Sequence, residues 1–359
     1  MNPRTHLEKA IKLDPNYSEA YFELGLLNKL EGNEQDALSL FQKAVSINKN
    51  FAEAECELAV SLMKSNELEE SRNHFLNSLE INPNFSDAYF YYGKLLTKLK
   101  DIEEAKNNFD KVTEIDQNYA KAYFHKARLL THPDDFESAR KNYETAIDID
   151  EKYTDAHYYM AKLLTGGIAT DKEGTIIDRT NIPEAKSHFK KVLKYKPDNF
   201  KALYNIARID YQKGELNSAK KNLSKAIRLS PKYWKAQYLL GMIYLKIDDI
   251  KNAEKYFQES IINNECNPKS YFQIGKIYYY QNSHKTAAEN LGKSITHEDE
   301  NAEAHYYLAK INSENGDSAT AKKHFYKSLE IDPEYANAYY ELAHHCLNFN
   351  EVNEAKIHF

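Results

Sequence analysis

A small residue followed twelve positions later by Ala or Ser recurs nine times along this chain of 359 residues, and a tenth pair, Ala161 and Ala185, is 24 positions apart. Neighbouring copies are 34 residues apart, with a single step of 46 residues as the exception. A fixed period of about 20 to 50 residues is typical of a solenoid, in which each unit buries its apolar face only against its neighbours. We call the first residue of each pair the marker, and the ten markers are Gly25, Ala59, Gly93, Ala127, Ala161, Ala207, Gly241, Gly275, Ala309 and Ala343.

A large apolar residue lies sixteen positions after nine of the markers and 28 positions after Ala161, and in seven repeats another small residue lies nineteen positions after the marker, as at Ala44 and Ser328. Two helices approach closely when large side chains on one face small side chains on the other, because this arrangement leaves no voids. The pattern therefore predicts two helices per unit that pack against each other. The large residues are Phe41, Phe75, Phe109, Tyr143, Phe189, Leu223, Phe257, Leu291, Phe325 and Phe359.

In spacing and residue type these columns resemble the tetratricopeptide repeat (TPR), a pair of antiparallel helices. The unit from Ala302 to Pro333 is close to the family pattern, and the resemblance extends over essentially the whole chain, with about ten repeats of 34 residues. It implies an all-α fold, a right-handed α-solenoid superhelix of antiparallel helix pairs. It also implies that the first helices line a concave groove in which extended or helical peptides bind.

The resemblance predicts a single array over residues 1–359. Its parts are a lone second helix of a partial repeat at 1–17, repeats 1–4 at 18–153, repeat 5 at 154–199, repeats 6–9 at 200–335 and a truncated repeat 10 at 336–359. Terminal repeats normally need a polar capping helix, and the sequence shows none after the last repeat. We therefore expect the chain to be a fragment, or one end, of a longer protein, with a naturally frayed end as the alternative.

Repeat 5 contains a 12-residue insertion within residues 165–183, between its two predicted helices. It holds three of the 11 glycines of the chain, Gly166, Gly167 and Gly174. Two interpretations fit this segment. Ile176 and Ile177 fit one strand of a small hairpin, and long loops are often functional. The alternative is a tolerated surface insertion, because a longer loop adds little closure entropy.

Composition narrows the class of partner and the compartment. A net charge of −6 and an isoelectric point of about 6.1 argue against nucleic acid as a partner. No apolar run approaches the roughly 18 residues that a membrane helix needs, so we expect no membrane insertion. Cys56, Cys266 and Cys346 lie in unrelated repeats without metal-ligand spacing. They fit a reducing compartment, and we expect a cytoplasmic location.

The sequence offers no motif for catalysis, for a metal or for a cofactor. His74, His188, His324 and His358 recur at one position of the second helices, which indicates a repeated face rather than a ligand set. The sequence contains no phosphate-binding glycine loop and no paired Cys motif. We therefore expect a non-enzymatic protein that uses no cofactor and no small-molecule substrate.

Helical geometry assigns one face of each first helix to the groove. This face holds the positions six, three and two before the marker and one and four after it. Nine of the ten residues three before the marker are aromatic, and the residue one after it is often basic, one helical turn from the ring. The predicted groove residues are Lys121, Phe124, Arg128, Tyr158, Lys162, Lys201, Tyr204, Arg208, Lys235, Tyr238, Lys269, Phe272 and Lys276.

Charge divides the predicted groove into two parts. Repeats 1 and 2 place Glu19, Glu23, Glu53 and Glu57 there, whereas repeats 4–8 place eight Lys or Arg against one Asp. Complementary charge steers and selects partners even where single ion pairs add little. This pattern predicts a protein-interaction scaffold that binds an acidic or phosphorylated peptide segment.

Two alternatives to this function stay open. In the first alternative, the basic residues are solvated long side chains on a helix face and have no role in binding. In the second alternative, the array is an accessory or regulatory part of a larger enzyme or transcriptional regulator. The effector domain then lies outside this chain.

Overall fold

A computed structural model describes residues 3–132, 135–166, 168–170 and 176–349, with backbone alone at 168–170, 176 and 177. It divides into two compact units, Met1–Tyr195 and Lys196–Phe359. Residues 350–359, with the predicted column members His358 and Phe359, lie outside the described residues. So do Gly167 and residues 171–175 of the insertion.

The described residues of the first unit form eleven helices and two short strands. Their bounds are α1 (Pro3–Leu13), α2 (Ser18–Glu31), α3 (Glu34–Ile47), α4 (Ala52–Lys64), α5 (Leu68–Ile81), α6 (Ser86–Leu99), α7 (Ile102–Ile115), α8 (Ala120–Leu129), α9 (Phe136–Ile149), α10 (Thr154–Thr165), β1 (Ile168–Thr170), β2 (Ile176–Asp178) and α11 (Ile182–Tyr195).

The described residues of the second unit form nine helices. Their bounds are α12 (Phe200–Gln212), α13 (Leu216–Leu229), α14 (Trp234–Lys246), α15 (Ile250–Asn263), α16 (Pro268–Tyr280), α17 (His284–His297), α18 (Ala302–Glu314), α19 (Ser318–Ile331) and α20 (Ala336–Asn348).

Consecutive helices form antiparallel pairs, which confirms the predicted all-α fold of helix pairs. The pairs with the most extensive contact are those of single repeats, from α2 with α3 to α18 with α19, and α1 packs on α2. Each second helix also contacts the first helix of the following repeat within its unit, as α7 does with α8. The assignment of all repeats to one array stays a prediction.

The insertion of repeat 5 contains a strand pair. β1 and β2 run antiparallel, with Ile168 opposite Asp178 and Thr170 opposite Ile176. They lie between the end of α10 and the start of α11, where the sequence placed the extra residues. The strand pair agrees with the predicted hairpin, and both the functional loop and the tolerated surface insertion stay open as interpretations of its role.

The glycine markers on the first helices pack against the large residue of the same repeat. A Cβ atom added to Gly93 would lie 2.9 Å from Cε1 of Phe109, and one added to Gly241 would lie 2.7 Å from Cε1 of Phe257. Both phenylalanines are fully buried. The predicted fit of large side chains into small gaps is therefore confirmed in these repeats.

Serine takes part in the same packing where it replaces Ala nineteen positions after the marker. The Oγ of Ser78 donates to the carbonyl oxygen of Ala52 (2.8 Å), and the Oγ of Ser328 donates to that of Ala302 (2.8 Å). Both acceptors lie at the start of the first helix of the same repeat. The buried hydroxyl thus gains a partner, which removes the cost of burying it unpaired.

Buried histidines form two matching dyads, His157–His188 in repeat 5 and His305–His324 in repeat 9. The Nδ1 atoms are 2.8 Å apart in the first dyad and 2.9 Å apart in the second. The Nε2 of His157 lies 3.0 Å from the carbonyl oxygen of Glu151, and that of His305 lies 3.1 Å from the carbonyl oxygen of Asp299. A carbonyl oxygen only accepts, so each Nε2 donates and each adjoining Nδ1 accepts from the second histidine.

One histidine of each dyad, His188 or His324, is held neutral by its surroundings. Burial lowers the pKa of His188 to about 4, and the neighbouring His157, Lys191 and Arg140 act in the same direction. Burial likewise lowers the pKa of His324 to about 4, with contributions from His305 and Lys323. A proton added at the bare Nδ1 of His157 or His305 would place two N–H groups against each other, because the shared hydrogen bond needs one bare nitrogen. His188 and His324 keep a bare Nε2, and burial opposes the positive charge there.

The close packing at Gly93 predicts an asymmetric response to the same substitution. We expect Gly93→Ala to lower the free energy of unfolding by roughly 1–2 kcal/mol, because the buried ring of Phe109 has no room for a methyl group and the strain exceeds the gain in helix propensity. Gly292→Ala is the control, since a Cβ there meets nothing within 4 Å. We expect it to stabilise the protein by about 0.5–1 kcal/mol. Equilibrium urea unfolding measures both, and a Gly93→Ala protein as stable as the parent contradicts the packing.

The dyads predict a loss of stability in mild acid. The unfolded chain takes up protons near pH 6.5, the ordinary pKa of His, whereas His188 and His324 in the folded protein resist protonation down to about pH 4. Stability is therefore present above about pH 6.5 and falls as the pH is lowered towards 4. Asn is the native residue of this column in other repeats, as at Asn108 and Asn290. We expect the double variant His188→Asn, His324→Asn to lose less stability between about pH 7.5 and 5 than the parent does.

The control for this experiment is His297→Asn, at an exposed histidine outside the dyads. We expect it to keep the pH dependence of the parent. Urea unfolding at several pH values is the measurement, and equal slopes for the parent and the double variant contradict the role of the dyads.

Candidate functional site

The thirteen predicted groove residues all lie on first helices. In the first unit they lie on α8 and α10, and in the second on α12, α14 and α16. The lysines Lys121, Lys162, Lys201, Lys235 and Lys269 are exposed, as is Arg128, whereas Lys276 and Arg208 are half-buried. The predicted aromatic residues are buried or half-buried: Phe124, Tyr158, Tyr204, Tyr238 and Phe272.

The aromatic column supports the stack of repeats. Phe90 packs against Tyr119 with ring centroids 5.1 Å apart, and Phe124 packs against Tyr153 at the same distance. In each pair the second ring belongs to the residue just before the first helix of the next repeat. Burial also raises the pKa of Tyr238 to about 12. These rings therefore form the floor of the surface on which the basic side chains lie.

Four basic side chains of the first unit have no acidic partner. We call Lys94 on α6, Lys121 and Arg128 on α8, and Lys162 on α10 the basic cluster. No Asp or Glu oxygen among the described residues lies within 4 Å of their charged nitrogens. Lys94 lies one residue after the marker Gly93, at the position that is often basic, although it is outside the predicted groove set.

Aromatic rings hold two members of the basic cluster in place. The Nζ of Lys94 lies 5.6 Å from the centroid of Phe90 and 5.4 Å from that of Tyr91. The Cζ of Arg128 lies 5.8 Å from the centroid of Phe124 and 5.0 Å from that of Tyr159 on the following first helix. Such contacts attract a cation without neutralising its charge.

The pKa of His125 depends on three cations of the basic cluster. His125 packs between the rings of Phe90 and Phe124, with centroids 5.4 and 5.2 Å away. Burial lowers the pKa of His125 to about 4, and Lys94, Arg128 and Lys121 lower it further by repulsion. Burial also lowers the pKa of Lys94, and repulsion from Lys121 adds to the effect. The field at this point of the first unit is therefore strongly positive.

The second unit neutralises part of its basic column. Lys276 forms an ion pair with Glu303 (2.5 Å), and Lys310 forms one with Glu341 (2.7 Å). Each carboxylate comes from the first helix of the next repeat. The charge that the sequence assigns to repeat 8 is thus partly balanced within the protein. The sequence contains a signal for these two ion pairs, because Glu303 and Glu341 occupy groove positions of their own repeats.

Two other predicted basic residues of the second unit lie beside rings of their own helices. Lys201 lies over Phe200 and Lys235 lies over Trp234, with Nζ to centroid distances of 5.9 and 5.4 Å. The Nε of Arg208 is buried and has no hydrogen-bond partner among the residues that the structure describes.

The acidic residues of repeats 1 and 2 are also partly engaged. Glu57 forms an ion pair with Lys29, and Glu19 accepts a hydrogen bond from Ser18 (2.8 Å). Glu23 and Glu53 are exposed. Among the residues that the structure describes, no group of three or more His, Cys, Asp or Glu side chains is placed to hold a metal ion. No helix in the described ranges is both long enough and apolar enough to cross a membrane.

Family models match several parts of the chain. A model described as "TPR repeat" matches residues 207–248, and models described as "Tetratricopeptide repeat" match residues 6–39, 74–107, 120–153 and 272–336. Together these segments cover more than half of the chain. No curated protein matches the sequence at a significant level.

Solved structures with the same kind of fold match the chain at low identity. PilF of Pseudomonas aeruginosa is 18% identical, with 64% of this chain and 98% of that chain covered and a TM-score of 0.54. Yeast Tom70 is 14% identical over 96% of this chain and 91% of that chain, with a TM-score of 0.42. YrrB, titled a TPR protein with an unusual peptide-binding site, is 24% identical over 55% of this chain and 95% of that chain, also at 0.42. At these identities the likeness to PilF supports the fold alone.

Proposed function

The chain belongs to the tetratricopeptide repeat family, and from that premise we propose that it is a non-enzymatic scaffold that binds an acidic segment of a partner protein. The binding surface is the groove-facing side of the first helices of repeats 3 to 5 in the first unit. The observation that carries this proposal is the basic cluster, whose four cations have no acidic partner within the described residues.

Charge left without a partner favours binding for a physical reason. Two like charges held near each other repel, and after burial, which is the larger cause, this repulsion lowers the pKa of Lys94 and of His125 further. An acidic ligand removes the repulsion and adds attraction, so its binding is favoured over that of a neutral segment. Lys276 and Lys310 offer less, because a ligand must first compete with Glu303 and Glu341.

The aromatic floor supports the same function. Rings beside Lys94 and Arg128 restrict these side chains before any ligand arrives. Less rotamer entropy is then lost on binding, which improves affinity without a new contact. We propose that the rings position the cations and that the cations select the charge of the partner.

Charge reversal in the basic cluster tests the proposal. The probe is a fluorescein-labelled peptide of eight glutamates, with fluorescence anisotropy as the measurement. We expect the triple variant Lys121→Glu, Arg128→Glu, Lys162→Glu to bind it at least tenfold more weakly than the parent. The affinity of the parent should fall as NaCl is raised from about 50 to about 300 mM, because salt screens exposed charges.

The matched control reverses the same number of charges on the second helices of the same unit. Lys43→Glu, Lys141→Glu, Lys190→Glu changes exposed lysines of α3, α9 and α11. We expect its affinity to stay within about twofold of the parent. Equal loss in both triple variants would show a general charge effect, and unchanged binding in the first would refute the proposed surface.

A further inference from the structure

We infer that Lys94, Lys121 and Arg128 form a site for the phosphate group of a phosphorylated side chain on the partner segment. We call these three residues the cation triad. The inference rests on the proposed function and names the chemical group that this part of the surface prefers. It goes beyond a general attraction for acidic peptides, because it separates a dianion from a carboxylate.

The contacts of the triad bring it together from two repeats. Lys94 lies beside the ring of Phe90, the ring of Phe90 contacts His125, and His125 contacts Phe124, which lies beside Arg128. Lys121, His125 and Arg128 are spaced at i, i+4 and i+7 on α8, so they share one face of this helix. The ring contacts thus link Lys94 to Arg128 through His125, and Lys121 shares the helix face of His125 and Arg128.

The number of charges favours a phosphate over a carboxylate. A phosphorylated side chain carries a charge of about −1.5 to −2 at pH 7 and three acceptor oxygens. Lys94, Lys121 and Arg128 supply three cationic donors, which match three oxygens by charge-assisted hydrogen bonds. One carboxylate leaves most of this positive charge unbalanced.

The nearby acidic residues do not neutralise the triad. Asp87, in the groove column of repeat 3, accepts a hydrogen bond from the hydroxyl of Tyr119 (2.6 Å). Asp116 and Asp150 border an open depression of about 370 Å³ beside Lys121, and neither forms an ion pair with it. Lys126, on the same helix, pairs with Asp110 and is not part of the triad. The triad is therefore available to a ligand.

Matched peptides separate the phosphate from plain acidity. The probes are fluorescein-labelled nine-residue peptides with two flanking glutamates and with phosphoserine, glutamate or serine at the centre. We expect the parent protein to bind the phosphoserine peptide at least tenfold more tightly than the glutamate peptide. Lys94→Gln, Lys121→Gln and Arg128→Gln should each weaken phosphoserine binding at least fivefold and bring the two affinities closer together.

Lys162→Gln is the matched control. Lys162 belongs to the basic cluster and occupies the same repeat position as Arg128, but it lies outside the triad. We expect this variant to weaken both charged peptides by the same factor, of about two. Circular dichroism of every variant should match that of the parent.

A spectroscopic readout in the unaltered protein complements the variants. A phosphate bound at the triad offsets the repulsion that Lys94, Lys121 and Arg128 exert on His125, so the pKa of His125 should rise from about 4. Titration of the His125 ring by nuclear magnetic resonance, with and without the phosphoserine peptide, measures the change. No change in the presence of bound peptide would place the phosphate elsewhere and refute the site.

The remaining outcomes distinguish this inference from the proposed function. Equal binding of the phosphoserine and glutamate peptides refutes the phosphate site and leaves the acidic-segment function intact, whereas failure of both peptides to bind refutes both. Inorganic phosphate that binds as tightly as the phosphoserine peptide would identify a small phosphate as the ligand. Tight binding of oligothymidylate would identify a nucleic acid, and either result would overturn the inference.

Discussion

The rest of this protein depends on one packing contact. It joins the marker of a first helix to the large residue of the following second helix. At Gly93 and Gly241 the gap is so narrow that even one added carbon meets the ring of Phe109 or Phe257. This contact sets the distance between two helices and the rotation of each about its axis. Once the rotation is set, the positions that face away from the partner helix are also decided, and every candidate binding residue is among them.

The same packing explains why function is not distributed evenly along the repeats. The residues three before the marker stack on rings of the next repeat, as Phe124 does on Tyr153. That role is structural and recurs from repeat to repeat. The basic residues beside these rings are held similarly, but their electrostatic surroundings differ. Lys276 meets Glu303, whereas Lys94 and Arg128 lie beside aromatic rings and meet no carboxylate within 4 Å among the described residues.

The polar side chain at one position of the second helix also differs from repeat to repeat. The column fifteen positions after the marker holds Asn108, which donates to a carbonyl oxygen of its own helix, but His324 bonds to a histidine of the partner helix. Both solutions satisfy a buried polar side chain, yet only the histidine makes the stability of the repeat depend on pH. Substitutions within one column thus change physical properties without changing the fold.

The sequence by itself determined the helix pairs, because a period of 34 residues with small and large columns leaves one way to bury the apolar faces. It also indicated the strand pair of the insertion. It did not determine the backbone of Lys100, seven residues after the marker Gly93, where most other repeats carry Gly, Asn or Asp. Lys100 still adopts a left-handed backbone with φ of 66°, because the turn geometry imposes it. Nor did formal charge reveal which cations are balanced. Ion pairs such as Lys276 with Glu303 and dyads such as His157 with His188 join residues of different helices about 30 positions apart. Only the tertiary structure decides such partners, because the reach and rotamers of long side chains between neighbouring helices are not encoded in a local pattern.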